Sequence, residues 1–319
     1  MNKFTDNTTD NTSDNTSDNT SDNTNDNTSD NTSDNTSDSD NFANYNRKRN
    51  FLFCYNCHET THLSKHCTKP IVSYGIICYS NCNNVLKFLL VNRKYSLSYV
   101  EFLLGNYTIT NYEYIQNLFN QMTLFERCLI RNNKFKYLWN KFWNYKKKNK
   151  FKKCLNKLFQ KSRQKFYELK YFQNNFLTLD HLIENCTQNY KVSEWYFPKG
   201  KKKQHKETEE EAALREFHEE TNIHLEENQI DRRFKFTEEH TSYNGKKYIV
   251  HFWVAKYDES CTNFQIRNKY QLQEILNIEW VTLDKCANKF RDYEKSKKNL
   301  LKKITVKFSD YQLINNILI

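Results

Sequence analysis

The chain has 319 residues, 37% hydrophobic and 15% aromatic, which is enough for a core of ordinary size and argues against general disorder. No run approaches the roughly 18 apolar residues of a membrane span, and the opening MNKFTDNTTDN has no apolar signal stretch, so an intracellular protein is expected. The net charge of +11 is uneven: residues 1–41 hold ten Asp against Lys3 alone (−9), leaving +20 on the rest. A body that basic predicts a polyanionic partner, nucleic acid first, although an A/T-rich genome would also favour lysine.

Residues 1–44 are an Asp/Asn/Thr/Ser tail. Its repeat has no apolar side chain to offset the entropy of ordering, so it is expected to be disordered and to carry no catalytic residue. Residues 45–69 hold CYNCHETTHLSKHC, with Cys54, Cys57, His62 and Cys67 spaced CX2CX4HX4C. Three thiolates and one imidazole at these intervals suit tetrahedral Zn²⁺. Four of the ten cysteines fall between Cys54 and Cys78, and there is no export signal, so metal binding and free thiols are expected over disulfides. Cys78 and Cys82 make a further CX3C pair, but Cys78 falls in an expected strand and no metal is assigned there. The CX2CX4HX4C spacing resembles the retroviral-type zinc knuckle, a binder of single-stranded nucleic acid. Tyr55 and Leu63 stand where knuckles place stacking residues, whereas His58 and Thr61 replace residues that are often Gly. RNA contact and a structural staple both remain open.

Residues 70–107 are strand-like: VSYGIICYS and VLKFLLVNRK, with Gly75 and the SNCNN segment as turn signals. Residues 108–190 are read as a basic helical insertion. From 108 to 185 they lack Gly and Pro, and Leu118, Met122, Phe125, Leu129, Leu138, Phe142, Leu155, Leu158, Phe159 and Phe166 recur at helical spacing. Within 127–170, sixteen Lys or Arg face one acid, Glu168. That suits a phosphate-contacting surface, with a solvated lysine face as the bland alternative. Tyr137, Trp139, Phe142, Trp143, Tyr145 and Phe151 stack bases or build the helical core, and the periodicity favours core for most. Residues 191–290 return to strands near 195–197, 234–236, 248–256 and 278–281, with a helix at about 208–221. Residues 291–319 form a helical or mixed extension. The fold class expected is α+β: a mixed sheet with helices, a large basic helical insertion and a small zinc knuckle.

The functional signal is PKGKKKQHKETEEEAALREFHEETNI. Glu216, Glu219 and Glu220 stand at i, i+3 and i+4, so all three share one helical face. Such crowding is destabilising unless cations bind, and hard oxygen ligands suit Mg²⁺ or Mn²⁺. Ala212, Ala213, Leu214 and Phe217 supply the buried side, Arg215 is placed to fix carboxylate geometry, and Glu207 is placed to cap the helix or join the network. A solvated acidic face is the alternative.

The string resembles the Nudix box GX5EX7REUXEEXGU, through Glu207, Arg215-Glu216-Phe217, Glu219-Glu220 and Ile223, across residues 200–223. Six residues rather than five separate Gly200 from Glu207, and Asn222 replaces the last Gly. The resemblance implies a Nudix α/β/α sandwich and divalent-ion binding by Glu216, Glu219 and Glu220, with Glu220 a candidate to activate water. QEILNIEW resembles the end of cytoplasmic decapping domains, implying a catalytic role for Glu274, with Glu279 and Glu238 or Glu239 as weaker choices. WYFPKGKKK resembles mRNA-decapping enzymes and diphosphoinositol polyphosphate hydrolases, and implies that Lys199, Gly200, Lys201, Lys202 and Lys203 face phosphates or RNA.

SYGIICYS, FLLVNRKYSLSYVEFLLGNY, FERCLI, LWNKFW and NGKKYIVHFW, together spanning about 70–285, look like the decapping enzymes of large nucleocytoplasmic DNA viruses of the poxvirus and African swine fever virus type. The tail and the Lys/Asn/Tyr bias fit a giant amoebal virus. The resemblance implies hydrolysis within the cap triphosphate of mRNA, release of m7GDP, capped RNA as partner, no membrane, and a place in the host cytoplasm, with virion packaging left open. Trp195, Tyr196, Trp253 and Tyr243 lie in regions suited to stacking the methylated guanine. The competing readings are a diphosphoinositol or dinucleoside polyphosphate hydrolase and a non-catalytic RNA-binding protein on a Nudix scaffold.

Overall fold

The computed structural model describes residues 54–317, apart from 55, 58, 84, 144–151, 172–177, 205, 243–244 and 265–266. The repeat tail, and with it Tyr55, His58, Tyr145, Phe151 and Tyr243, lies outside the described residues. Strands β1 (Ile71–Cys82) and β2 (Val85–Arg93) lead into helices α1 (Leu97–Leu103), α2 (Tyr112–Gln121), α3 (Leu124–Asn132), α4 (Phe135–Trp143), α5 (Lys152–Tyr171) and α6 (Leu179–Glu184). Then come β3 (Trp195–Tyr196), β4 (Lys199–Gly200), α7 (Glu209–Thr221), β5 (Ile230–Thr241), β6 (Lys247–Lys256), α8 (Gln271–Glu274), β7 (Ile275–Thr282), α9 (Leu283–Lys289) and α10 (Lys295–Ile317).

The seven strands form one mixed sheet in the order β3-β2-β1-β6-β5, with β7 on β2 and β4 on β1. The β1–β6 pair is parallel and the others are antiparallel. β1 is central, and its interior is buried on both faces, as its unbroken apolar run requires. Alternate residues face opposite layers. Tyr74, Ile76 and Cys78 pack with Ala212, Ala213 and Phe217 of α7. Ile77 packs with Cys286 of α9 and with Leu300, Leu301, Ile304 and Phe308 of α10. The result is the expected helix–sheet–helix sandwich.

Gly75 does not make a turn. It lies mid-strand, because the segment carrying β3 and β4 is wedged between β1 and β2. Tyr196 pairs with Val91, while Gly200 and Lys199 pair with Tyr74 and Gly75. A Cβ at Gly75 would collide with the Pro198 carbonyl and lie 2.8 Å from the Phe252 ring. The glycine therefore marks a close backbone approach rather than a chain reversal.

Among the described residues, six helices lie between β2 and β3. Ser96, Asn111, Thr123 and Thr178 each cap a helix by accepting a backbone N–H from three residues on. Their shared core includes Tyr99 and Phe102 of α1, ahead of residue 108, with Leu118, Met122, Leu129, Leu138 and Phe166. Phe125 departs from expectation: it is helical but exposed, with the Lys141 ammonium 5.2 Å from its ring. Glu126, by contrast, is buried and accepts from Ser96 N (2.6 Å), Ser96 Oγ (2.7 Å) and Thr123 N (2.8 Å), joining the caps of α1 and α3. Among the described residues no helix is long and apolar enough to cross a membrane, and the nine described cysteines are unbridged.

One buried ion pair ties the helices to the sandwich. Arg291 and Glu194, 7% and 1% exposed, meet at 3.2 Å. Arg291 also donates to the carbonyls of Gln121 and Val192, both at 2.6 Å, and stacks over the Tyr190 ring. Glu194 accepts from Leu97 N and from the Tyr293 hydroxyl. Removing one partner strands a charge in low dielectric. Arg291→Met is therefore expected to cost about 3–5 kcal/mol in urea unfolding, with part recovered by adding Glu194→Gln. Additive losses in the double variant would contradict the pairing.

A carboxylate helix and a cysteine–histidine cluster

Helix α7 starts at a capping box, in which Thr208 Oγ1 accepts from Glu211 N (3.1 Å) and Glu211 accepts from Thr208 N (2.7 Å). It ends at Asn222, whose φ of 61° is the left-handed cap for which the family pattern uses glycine. Ala212, Ala213 and Phe217 are buried beneath it, which turns Glu216, Glu219 and Glu220 toward the β3–β4 segment and its following loop.

Each carboxylate is met by a cation or donor, and Arg215 reaches two of them, Glu216 and, at 3.8 Å, Glu219. Arg215 donates from Nε to Glu207 Oε1 (2.6 Å), from Nη1 to Glu216 Oε1 (2.7 Å) and from Nη2 to the Lys201 carbonyl (2.8 Å). One guanidinium thus locks the loop, Glu207 and Glu216 together. Glu219 pairs with Lys203. Glu220, 5% exposed, accepts from the Tyr196 hydroxyl (2.6 Å) and Lys199 N (3.0 Å). Burial pushes the Glu220 carboxyl up to about 7, opposed by the Tyr196 hydrogen bond and the charges of Arg93 and Lys199. Burial likewise raises Glu216, with Arg215 opposing. Gly200 has no room for a side chain, because its Cβ would fall on the Glu216 carboxylate.

Other charges converge here. Arg93, at the end of β2, lies 4.3 Å over the Tyr196 ring, and its charge acts on Glu220 and Glu274. Sequence patterns gave no reason to single it out, since only the β2–β3 pairing brings it to Tyr196. Glu274 ends α8 exposed, close enough to influence Arg93, Tyr196 and Glu216. Glu279 pairs with Lys289, and Glu238 is buried against Ser296 of α10. The four lysines diverge. Lys199 turns in over Tyr196, where burial and then Arg93 lower it to about 8. Lys202 covers the Tyr74 ring at 5.2 Å, Lys203 meets Glu219, and Lys201 is bound through its carbonyl.

Of the aromatics suited to a guanine, Tyr196 is closed in by Glu220 and Arg93. Trp253 lies under Lys235 at 4.5 Å. Trp195 borders a cleft of about 450 Å³ with Asn92, Asn277 and Glu279, and Lys289 sits 4.2 Å over its ring.

The carboxylate donors fit a hard divalent cation by chemistry. In the metal-free site Arg215 Nη1 lies 2.7 Å from Glu216 Oε1 and 3.8 Å from Glu219 Oε1, Lys203 meets Glu219, and Tyr196 with Lys199 N holds Glu220. Among the described residues the one convergent group of His, Cys, Asp and Glu is Cys54, Cys57, His62 and Cys67, whose ligand atoms all lie within 4.8 Å of one another. That donor set and spacing fit Zn²⁺. A second layer orients it: Asn56 Nδ2 lies 3.2 Å from Cys67 Sγ, and Thr61 Oγ1 meets His62 Nδ1 at 3.0 Å, leaving Nε2 toward the thiols. Asn56 lowers the Cys67 thiol, the change thiolate ligation requires. Leu63 is exposed, and Cys78 is buried in the core away from the cluster.

Because Glu220 has a folded pKa raised from 4.5 to about 7, the metal-free fold binds its proton more tightly than the unfolded chain does. This contribution to stability is complete below about 4.5 and is lost as pH rises through about 7, by at most about 3 kcal/mol. Melting of the metal-free protein between pH 5 and 8 is expected to fall relative to a Glu220→Gln variant. Parallel curves would contradict the burial of this group.

Residues 181–304 match the NUDIX domain. The mRNA-decapping protein g5R of African swine fever virus (isolate Pig/Kenya/KEN-50/1950) is 30% identical over 66% of this chain and 85% of its own length. A protein of Acanthamoeba polyphaga mimivirus to which mRNA decapping is ascribed is 29% identical over 75% of this chain and 69% of its own. Among solved structures, a C. elegans Ap4A hydrolase binary complex aligns at a TM-score of 0.37 and 16% identity, over 75% of this chain and 98% of that one, too loosely to bear on substrate. The chain belongs to the Nudix hydrolase family, and its relatives there are viral mRNA-decapping proteins.

Proposed function

We propose that the chain hydrolyses the cap triphosphate of capped RNA, releasing m7GDP and RNA with a 5′ monophosphate. One observation carries this reading: the similarity to g5R spans 220 aligned residues, well beyond the 124 of the NUDIX match (181–304). It therefore includes sequence that a compact small-molecule hydrolase does not need. Diphosphoinositol or dinucleoside polyphosphates ask nothing of a lysine-rich helical unit. An RNA body does, because each neutralised phosphate releases counterions.

In this reading Glu216, Glu219 and Glu220 would hold Mg²⁺ or Mn²⁺, which would supply a lowered water pKa and positive charge against the phosphates. Arg215 sets the Glu216 carboxylate against the loop, while Tyr196 and Lys199 N set that of Glu220. Water adds at phosphorus, the bridging P–O bond breaks, and Glu274, exposed at the rim, accepts the water's proton. Lys201 and Lys202 contact phosphates, and Cys54, Cys57, His62 and Cys67 would hold Zn²⁺.

Glu220→Gln and Glu274→Gln are each expected to lower turnover of capped RNA at least about 100-fold, while RNA affinity stays within about twofold. Unchanged turnover in Glu220→Gln would remove the catalytic assignment. Loss of RNA affinity alongside turnover would point instead to a folding defect.

A further inference from the structure

A cleft of about 360 Å³ separates the cysteine–histidine segment from the lysine loop. Its floor is sheet. Val72 and Ile249 are register partners on the parallel strands β1 and β6, and Tyr74 follows on the same face. Tyr74 meets Glu209 in the first turn of α7, so Val72 and Ile249 lie beyond the helix and are only half-buried. One wall is Asn56, Cys57 and Lys69, and the other is Lys201 and Lys202.

Both walls are tied to chemistry already described. Asn56 Nδ2 reaches Cys67 Sγ and the carbonyls of Lys69 and Pro70 at 3.1–3.2 Å, which fixes the cluster against the start of β1. On the other side, Arg215 holds the Lys201 carbonyl and Glu216 with one guanidinium. The floor of Val72 and Ile249 offers an apolar face for a base, Lys201 and Lys202 put ammonium groups on one wall for a backbone, and on the other wall Lys69 is paired with Glu59. The volume is at the small end of ligand sites, about 300–1,000 Å³, and suits one nucleotide.

We propose that this cleft is a single-stranded RNA subsite holding one nucleotide, its base on Val72 and Ile249 and its phosphates against Lys201 and Lys202. The inference rests on the RNA reading above and adds to it: the cluster forms one wall of the path leading from the carboxylate helix.

The test uses the full zinc-loaded chain and an uncapped, 5′-monophosphorylated 12-nucleotide RNA without Mg²⁺ or Mn²⁺, so that it is independent of cap hydrolysis. Fluorescence anisotropy is expected to show binding weakened about tenfold or more by Ile249→Glu and not weakened by Ile249→Lys. RNA carrying 4-thiouridine near its 5′ end is expected to crosslink the unsubstituted chain within residues 56–74 or 199–203. Wild-type affinity in Ile249→Glu, or crosslinks confined to other segments, overturns the proposal. If Ile249→Glu fails to fold, the crosslinks on the unsubstituted chain decide. A failure here leaves cap hydrolysis standing, and a failure of cap hydrolysis leaves this binding measurable.

Discussion

Three carboxylates on one face of a thirteen-residue helix repel one another, and most of the surroundings of α7 answer that repulsion. Arg215 takes Glu216, Lys203 takes Glu219, and Tyr196 with Lys199 N takes Glu220. Those last two groups reach Glu220 only because the β3–β4 segment is wedged between β1 and β2. The wedge in turn needs Gly75 and Gly200, where backbone and carboxylate come too close for a Cβ. Sheet topology, two glycines and one guanidinium therefore serve a single electrostatic problem.

The solution is poised. Internal cations and hydrogen-bond donors now neutralise the glutamates, and a divalent ion offers a stronger substitute at the same oxygens. Glu220 shows the tension most clearly, since its burial favours the protonated acid while its partners favour the carboxylate. The helical unit meets the same region from the other side of the chain. Arg291 and Glu194 lock α1, the end of α2 and the approach to β3 into one buried network beside the strand that delivers Tyr196.

Much of this was legible in the sequence, because local rules governed it. The capping box at Thr208, the apolar stripe of α7, the left-handed cap at Asn222 and the CX2CX4HX4C spacing each follow from neighbouring residues. The helices from α2 onward follow from periodicity in the same way, whereas α1 (Leu97–Leu103) lies in a stretch whose pattern reads as strand-like. What escaped depends on long-range placement. Gly75 resembles a turn residue until Pro198 arrives against it from more than a hundred residues away. Arg93 is one more strand-end cation until β3 brings Tyr196 beneath it. Phe125 fits a helical apolar pattern, yet α3 presents it outward, next to Lys141. The divergence of Lys199, Lys201, Lys202 and Lys203 is likewise invisible in a run of identical letters, since each is drawn to a different neighbour.

The central claim is that this arrangement cleaves the cap triphosphate, and product identity tests it most directly. RNA labelled in its m7G cap is incubated with the purified chain and Mn²⁺ or Mg²⁺, and the products are separated by chromatography. The account predicts release of m7GDP with a 5′-monophosphate RNA. An intact cap with metal-loaded protein, together with turnover of diphosphoinositol or dinucleoside polyphosphates, would contradict it.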